Sequence, residues 1–366
     1  VDDRFRITYL LTCGEGEEAA SMAREIAFEQ TVELPESCVP REIQERIVGS
    51  VEELEVVEGR RWRCVISYAA ETVGNDMPQF LNLLFGNISL KRGILVTDVA
   101  WPRTWLETFP GPAFGIDGIR RLCGVAERRP LLCAVLKPLG MSAVDLARVC
   151  ADFAKAGVDI IKEDHGLADQ PYAPFRDRLE RCREAIAMTG GTSLYFPNLT
   201  CRASQIFERL ELARDAGCRG ILISPLLIGA DTAREVAVRS GLAVLSHPSM
   251  SGAYFHGDHG ILPELLLGQI FRIIGADGVI FPNAGGRFPF SEETCRAISS
   301  KLRGPMGRLR PACPVPGGGI DARRMADWAG MYGADTIFLV GGSLYAEPDV
   351  VLASRRLLDQ LKAEFE

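Results

Sequence analysis

From about residue 120 onward the chain repeats one pattern eight times: a short apolar or β-branched run, then a longer stretch of helical period. The runs are 131-LLCAVLK-137, 158-VDIIKED-164, 193-SLYFPNL-199, 220-GILISPLL-227, 243-AVLSHPS-249, 277-DGVIFPNA-284, 311-PACPVPGG-318 and 335-DTIFLVGGS-343. In 142-SAVDLARVCADFAKAG-157, between the first two, Val144, Leu146, Val149 and Phe153 form an apolar face, Ser142 is an N-cap and Gly157 a stop. Strands each followed by a helix run parallel, and eight such units predict a (β/α)8 barrel. A doubly wound sheet is the rival arrangement, but it usually has fewer strands.

Residues 1–112 read differently. Segments 4-RFRITYLLT-12 and 61-RWRCVISYAAE-71 have strand character, 16–30 and 78–87 have helical character, and 39–59 contributes both. This predicts a small α+β domain of ferredoxin-like type on an antiparallel sheet. Pro110, Gly111 and Pro112 break any periodic element, so the reading is an α+β domain over 1–112 and a barrel over 113–366.

Bulk properties narrow the function. Net charge is −7 with no long basic block, which argues against nucleic acid or an anionic membrane as partner. No run of 18 uncharged apolar residues exists, and VDDRFRITYLLT lacks the layout of a secretory signal. The 11 cysteines are scattered, with no C-x-x-C pair. They read as reduced thiols, and the expected location is cytoplasmic.

In a barrel, the groups that do chemistry project from the C-terminal ends of the strands. Those ends carry Lys137 after the first run, Lys162–Glu163–Asp164–His165 after the second, Asn198 after the third and His247 after the fifth. Asn283 and then Gly285, Gly286 and Arg287 follow the sixth, Gly317, Gly318 and Gly319 end the seventh, and Gly341, Gly342 and Ser343 end the eighth. Glycines after strands seven and eight suit a phosphate, because bare backbone N–H groups can approach an anion closely. Lys162 and Asp164 are two apart and share a face, the barrel interior, while Glu163 points outward. A carboxylate and one more ligand beside a lysine can hold a hard divalent cation if CO2 has carbamylated the lysine, since an amine alone is a poor magnesium ligand. A plain Lys162–Asp164 ion pair filling the interior is the other reading.

The run KPLGMS at 137–142 and the stretch AGVDIIKEDHGLADQPYAPFRDRLE at 156–180 resemble the RuBisCO large chain, with its K-P-K-L-G-L-S and G-G-x-D-x-x-K-D-D-E-x-x-x-x-Q-P-F-x-x-x-x-D-R. SHP at the fifth run, GGR after the sixth, PGGGI after the seventh and VGGS after the eighth follow in order, and GPAFGIDGIRR at 111–121 looks most like the RuBisCO-like proteins. The resemblance implies a carbamylated Lys162 which, with Asp164 and His165, binds one Mg2+ per subunit. It implies catalytic roles for Lys137, Lys162 and His247, and substrate or phosphate contacts from Asn198, Arg287, Gly317, Gly318, Gly319, Gly341 and Gly342. It also implies a homodimer, or an oligomer of dimers, in which Glu29 and Asn87 reach across the interface.

The departures exclude one reaction. The second lysine of K-P-K is absent, because Pro138 is followed by Leu139. Arg287 stands where that family has a mobile-loop lysine, Gly317 where it has a serine, and His165 where it has a glutamate. The implied protein is RuBisCO-like and does not carboxylate ribulose bisphosphate. Within that group, KEDHGLADQP with the deleted lysine resembles the 3-oxo-isoapionate 4-phosphate decarboxylases of apiose breakdown. The expectation is therefore a Mg2+-dependent lyase that decarboxylates a phosphorylated 3-oxo sugar acid. The alternatives are an enolase or isomerase of a methylthio-sugar phosphate, and a non-catalytic stress or regulatory protein.

Overall fold

A computed structural model describes residues 3–365. The chain divides into two units, Val1–Phe109 with Met250–Leu266, and Pro110–Ser249 with Leu267–Glu366.

The first unit is built on a six-stranded sheet. Its order is Phe255–His256, His259–Ile261, Ile94–Ala100, Arg4–Thr12, Arg61–Ala69, Ser50–Glu58. Strand Arg4–Thr12 alternates strictly, with Phe5, Ile7, Tyr9 and Leu11 buried, as expected for a strand with one face on the core. That core includes Phe5, Phe80 and Trp105, whose rings approach to 5.0–5.3 Å between centroids. The outer strand Ser50–Glu58 is exposed along nearly its whole length and carries Glu52, Glu53, Glu55 and Glu58, charges that discourage pairing of a bare edge with another chain.

The sequence predicts an all-antiparallel sheet here, but the sheet is mixed. Gly260 and Ile261 pair in parallel with Leu95 and Val96. The two-domain reading places this segment in a loop of the barrel domain. Its pairing partner lies more than 150 residues away in the chain, and no local period reports such a partner.

The second unit is a barrel of eight parallel strands: Leu131–Leu136, Ile160–Glu163, Leu194–Phe196, Gly220–Ile223, Ala243–Ser246, Gly278–Pro282, Cys313–Gly317 and Ile337–Val340. We call them the first to eighth barrel strands. Each lies inside the run that predicts it. Leu222 closes the ring, accepting from Leu199 N and donating to Pro197 O at 2.8 Å each. Alternate residues point inward. Leu131, Cys133, Ile160, Phe196, Leu222, Leu245, Ile280, Val315 and Ile337 fill the interior, and Ile116 and Ile119 of helix Gly115–Leu122 join the same cluster. A Cβ on Gly220 would lie 2.1 Å from the Phe196 ring, so glycine at the start of strand four makes room for that ring. Helix Ala143–Ala156 begins at Ser142, whose hydroxyl accepts from Asp145 N, and ends at Gly157 in the left-handed conformation, φ 83°. The barrel thereby aims all eight strand ends at one mouth.

Candidate active site

Strand two sets the floor of the mouth. Ile160 and Lys162 face inward, Ile161 and Glu163 outward, as the pleat requires. Glu163 is fully buried. It accepts hydrogen bonds from Arg178 Nε, from Arg178 Nη2 at 3.0 Å, from the Tyr195 hydroxyl and from Asn198 N at 2.8 Å. A buried carboxylate with four donors is an anchor. It locks the end of strand two to helix Phe175–Met188 and to strand three, and so fixes the direction of its two neighbours.

Lys162 is 2% exposed, and its Nζ donates to the Glu163 carbonyl at 2.7 Å. Burial lowers its pKa to about 8, against the attraction of Asp164 and Glu163. Cys133 lies beside it, its thiol pushed up to about 12 by burial and therefore unreactive.

Asp164 is 4% exposed. Its Oδ1 accepts from Gly166 N at 2.9 Å, and its Oδ2 lies 2.6 Å from Lys137 Nζ. Burial alone would raise this carboxyl, but the Lys137 ammonium and the Gly166 N–H overcome it and hold it below the usual range. The Lys137 ammonium therefore engages Oδ2 as a close ion pair, while Oδ1 takes the Gly166 N–H. Lys137 leads with its side chain 40% exposed. Its backbone N–H donates to the Tyr345 hydroxyl at 3.0 Å, and that hydroxyl donates to the Val135 carbonyl at 2.9 Å. Tyr345 thus ties the end of strand one to the segment after strand eight.

Two imidazoles stand over this floor. The His165 and His247 rings stack at 4.0 Å with 11° between planes. His247 Nδ1 shares a 2.8 Å hydrogen bond with the Ser249 hydroxyl. Burial lowers both pKa values, that of His247 to about 2, and the neighbouring lysines push the same way. Both rings are therefore neutral at physiological pH. Arg287 is exposed, with its guanidinium 5.6 Å from the Phe288 ring centre, and its charge reaches His165.

Asn198 is spent on structure. It is fully buried, donates from Nδ2 to the carbonyls of His165 (3.0 Å) and Leu167 (2.8 Å), and accepts from Thr200 N. It shapes the Asp164–Leu167 loop and leaves no amide atom free for a substrate.

The glycine loops meet backbone to backbone. A Cβ on Gly319 would sit 2.9 Å from Gly286 Cα, and Gly318 and Gly319 are left-handed at φ 83° and 76°. A Cβ on Gly341 would press on Val135 at 2.9 Å, whereas one on Gly342 would meet nothing within 4 Å. The Ser343 hydroxyl donates to the Ile320 carbonyl at 2.8 Å, joining loops seven and eight. In the first unit Asn87 Nδ2 donates to Glu29 Oε1 at 3.0 Å, so the two residues expected to reach across an interface lie side by side.

Residues 115–356 match the family model described as ribulose bisphosphate carboxylase large chain, catalytic domain. The chain belongs to this family. It is similar to ribulose bisphosphate carboxylase-like protein 1 of Rhodopseudomonas palustris, 38% identical over 352 residues covering 94% of each chain. It is also similar to 5-methylthioribulose-1-phosphate isomerase of Rhodospirillum rubrum, 37% identical over 95% of this chain and 93% of the relative. Among solved structures, a Rubisco-like protein from Rhodopseudomonas palustris superposes with a TM-score of 0.90 at 34% identity, covering 99% of this chain and 98% of the other. A dimeric archaeal Rubisco from Hyperthermus butylicus does so at 0.89 and 26% identity, covering 99% and 90%.

The family match makes the chain a relative of enzymes; activities named among the relatives include an isomerase and, at 32% identity over 84% of this chain, the 2,3-diketo-5-methylthiopentyl-1-phosphate enolase of Geobacillus kaustophilus. Among the described residues no three His, Cys, Asp or Glu side chains form a metal cage. Asp164 and His165 lie 3.3 Å apart at the mouth, the His247 ring stacks 4.0 Å from His165, and a carbamate on Lys162 would add an acidic ligand beside them. The lowered pKa of Lys162 fits a carbamate, and the Asp164 carboxylate, held ionised below the usual range, fits a cation ligand. Sequence reasoning missed the Glu163–Arg178–Tyr195 anchor and the Tyr345 bridge. The available signals were the outward position of Glu163 and the aligned D-R dipeptide that ends in Arg178.

Proposed function

We propose that this barrel forms and protonates an enolate of a phosphorylated keto sugar, and that its reaction is proton transfer: an enolase or isomerase of a sugar phosphate. The observation that carries the reading is the Lys137 ammonium held 2.6 Å from Asp164 beside a buried Lys162 with a pKa near 8. Lys137 delivers a proton to carbon, and Asp164 keeps it aimed. Lys162, as neutral amine or as carbamate, receives the proton from the carbon beside the carbonyl. His165 and His247 are neutral and hydrogen-bond substrate oxygens without adding charge. The carbamate of Lys162, Asp164 and His165 would hold Mg2+, which when bound stabilises negative charge on a substrate oxygen. The glycines 317–319 and 341–342 hold the phosphate, and Glu29 and Asn87 of a second copy complete the site. The isomerase named among the relatives supports this reading over the decarboxylase expected from the sequence.

Decarboxylation is a second reading, favoured by one observation. Asp164, the carboxylate at this mouth, is engaged by Lys137 and Gly166. Loss of CO2 needs an enolate stabiliser and an acid but no base.

One experiment separates the two. The protein with Mg2+ and bicarbonate is given 5-methylthioribulose 1-phosphate in heavy water and, separately, 3-oxo-isoapionate 4-phosphate. Deuterium incorporation or isomerisation of the first without CO2 from the second is the expected result. CO2 release from the second alone moves the assignment to decarboxylation, and silence with both overturns the enolate chemistry.

A further inference from the structure

Behind the loop that carries Asp164 and His165 lies a cavity of about 340 Å³, bordered by Asp169, Gln170, Cys201, Arg202, Gln205 and Arg209. Arg209 is 6% exposed, and its Nη1 is buried with no hydrogen-bond partner. Its Nη2 is 3.4 Å from Asp169 Oδ2, and its guanidinium lies 5.1 Å from the Phe175 ring centre. Asp169 is already shared, because its Oδ1 accepts from Phe175 N at 2.7 Å. A guanidinium out of water with an idle donor is costly unless an acceptor arrives. Arg202 stands exposed on the same rim. Both arginines act on the Cys201 thiol, pulling back the rise that burial causes, so their charges converge on one spot. Two cations against one carboxylate leave the lining positive.

We propose that this cavity is an oxyanion-binding site distinct from the reaction centre, taking a phosphate or carboxylate group on Arg209 and Arg202. The flat fork of a guanidinium suits both anions. The occupant bears on the chemistry through the loop. Gln170, on the cavity wall, donates to the Gly166 carbonyl at 2.7 Å, and Gly166 N binds Asp164. An anion that steadies 168–170 steadies the carboxylate four to six residues earlier in the chain. The inference stands on the cavity alone and does not depend on which reaction the barrel performs. The oxyanion has two possible sources, a free phosphate-type ligand or a carboxylate side chain of a second copy of this chain.

The test uses the full-length protein with inorganic phosphate as probe. Labelling of half-buried Cys201 by N-ethylmaleimide is followed by peptide mass spectrometry, with exposed Cys38 as internal reference, in phosphate and in chloride at equal ionic strength. For a free anion, phosphate slows Cys201 at least threefold relative to Cys38, and Arg209→Gln abolishes the effect. For a carboxylate of the second copy, phosphate changes nothing, but Arg209→Gln raises the dimer dissociation constant at least tenfold in sedimentation. If neither change is seen, the proposal is overturned and the cavity holds only water. If Arg209→Gln does not fold, Arg202→Gln, on the exposed rim, takes both measurements, and no effect in either then overturns it.

Discussion

Replacing Lys162 by methionine separates what this lysine does for the reaction from what it costs the fold. Burial lowers its pKa from 10.5 to about 8. At about 1.36 kcal/mol per pH unit, keeping the proton on costs the folded state roughly 3 kcal/mol near neutrality. The hydrogen bond from Nζ to the Glu163 carbonyl offsets about 1 kcal/mol of that. Methionine has a similar length and no charge, so Lys162→Met should stabilise the protein by about 2 kcal/mol at about pH 7 while abolishing turnover. The sign fixes the pH course. The folded pKa is the lower one, so the penalty is complete below about pH 8. It fades between about 8 and 10.5 as the amine becomes neutral in both states. Urea unfolding in metal-free, CO2-free buffer at about pH 7, 9 and 10.5 reads this directly. A variant less stable than wild type at neutral pH, or a gain unchanged at the highest pH, would refute the reasoning. The same pKa leaves roughly one amine in ten neutral at about pH 7, against about one in 3,000 for an ordinary lysine. Bicarbonate enriched in 13C should therefore give a carbamate resonance in wild type that Lys162→Met lacks.

Four further outcomes are expected. Gly342→Asp fits sterically, since a Cβ there meets nothing within 4 Å, and should raise KM for a phosphorylated substrate at least tenfold without changing Tm; an unchanged KM moves the phosphate elsewhere. Glu163→Ala leaves the Arg178 guanidinium buried and unpaired and should cost about 3–5 kcal/mol in chemical denaturation, whereas a loss below about 1 kcal/mol would show that the anchor is dispensable. Lys137→Met should slow solvent-hydrogen incorporation about 100-fold or more while the fold persists by circular dichroism; exchange at the wild-type rate would assign the proton to another group. Inactive Lys162→Ala and Asn87→Ala chains, mixed, should recover part of the activity if Asn87 acts across a dimer, and proven heterodimers with no recovery would end that idea.

Much of the molecule was legible in the sequence because strand periodicity is local. The pleat turns every second residue inward, so VDIIKED alone puts Lys162 and Asp164 on one face and Glu163 on the other, where Glu163 meets Arg178 of the following helix and Tyr195. The eight runs and the glycines at the last strand ends were equally readable, since backbone conformation and burial leave their mark on neighbouring residues. Closure of the ring decided the rest. Lys137 and Asp164 follow different strands, His165 and His247 are 82 positions apart, and the partners of Glu163 come from a helix and another strand. Whether Asp164 meets Lys137 or Lys162 depends on strand stagger, which no single segment encodes. The same holds for Gly260 and Ile261 joining the first unit's sheet, and for Asn198, whose strand-end position reads as substrate-facing although its amide is consumed by the loop beside it. Side-chain direction follows from a few neighbouring φ and ψ angles, whereas side-chain partners are set only when distant segments are packed together.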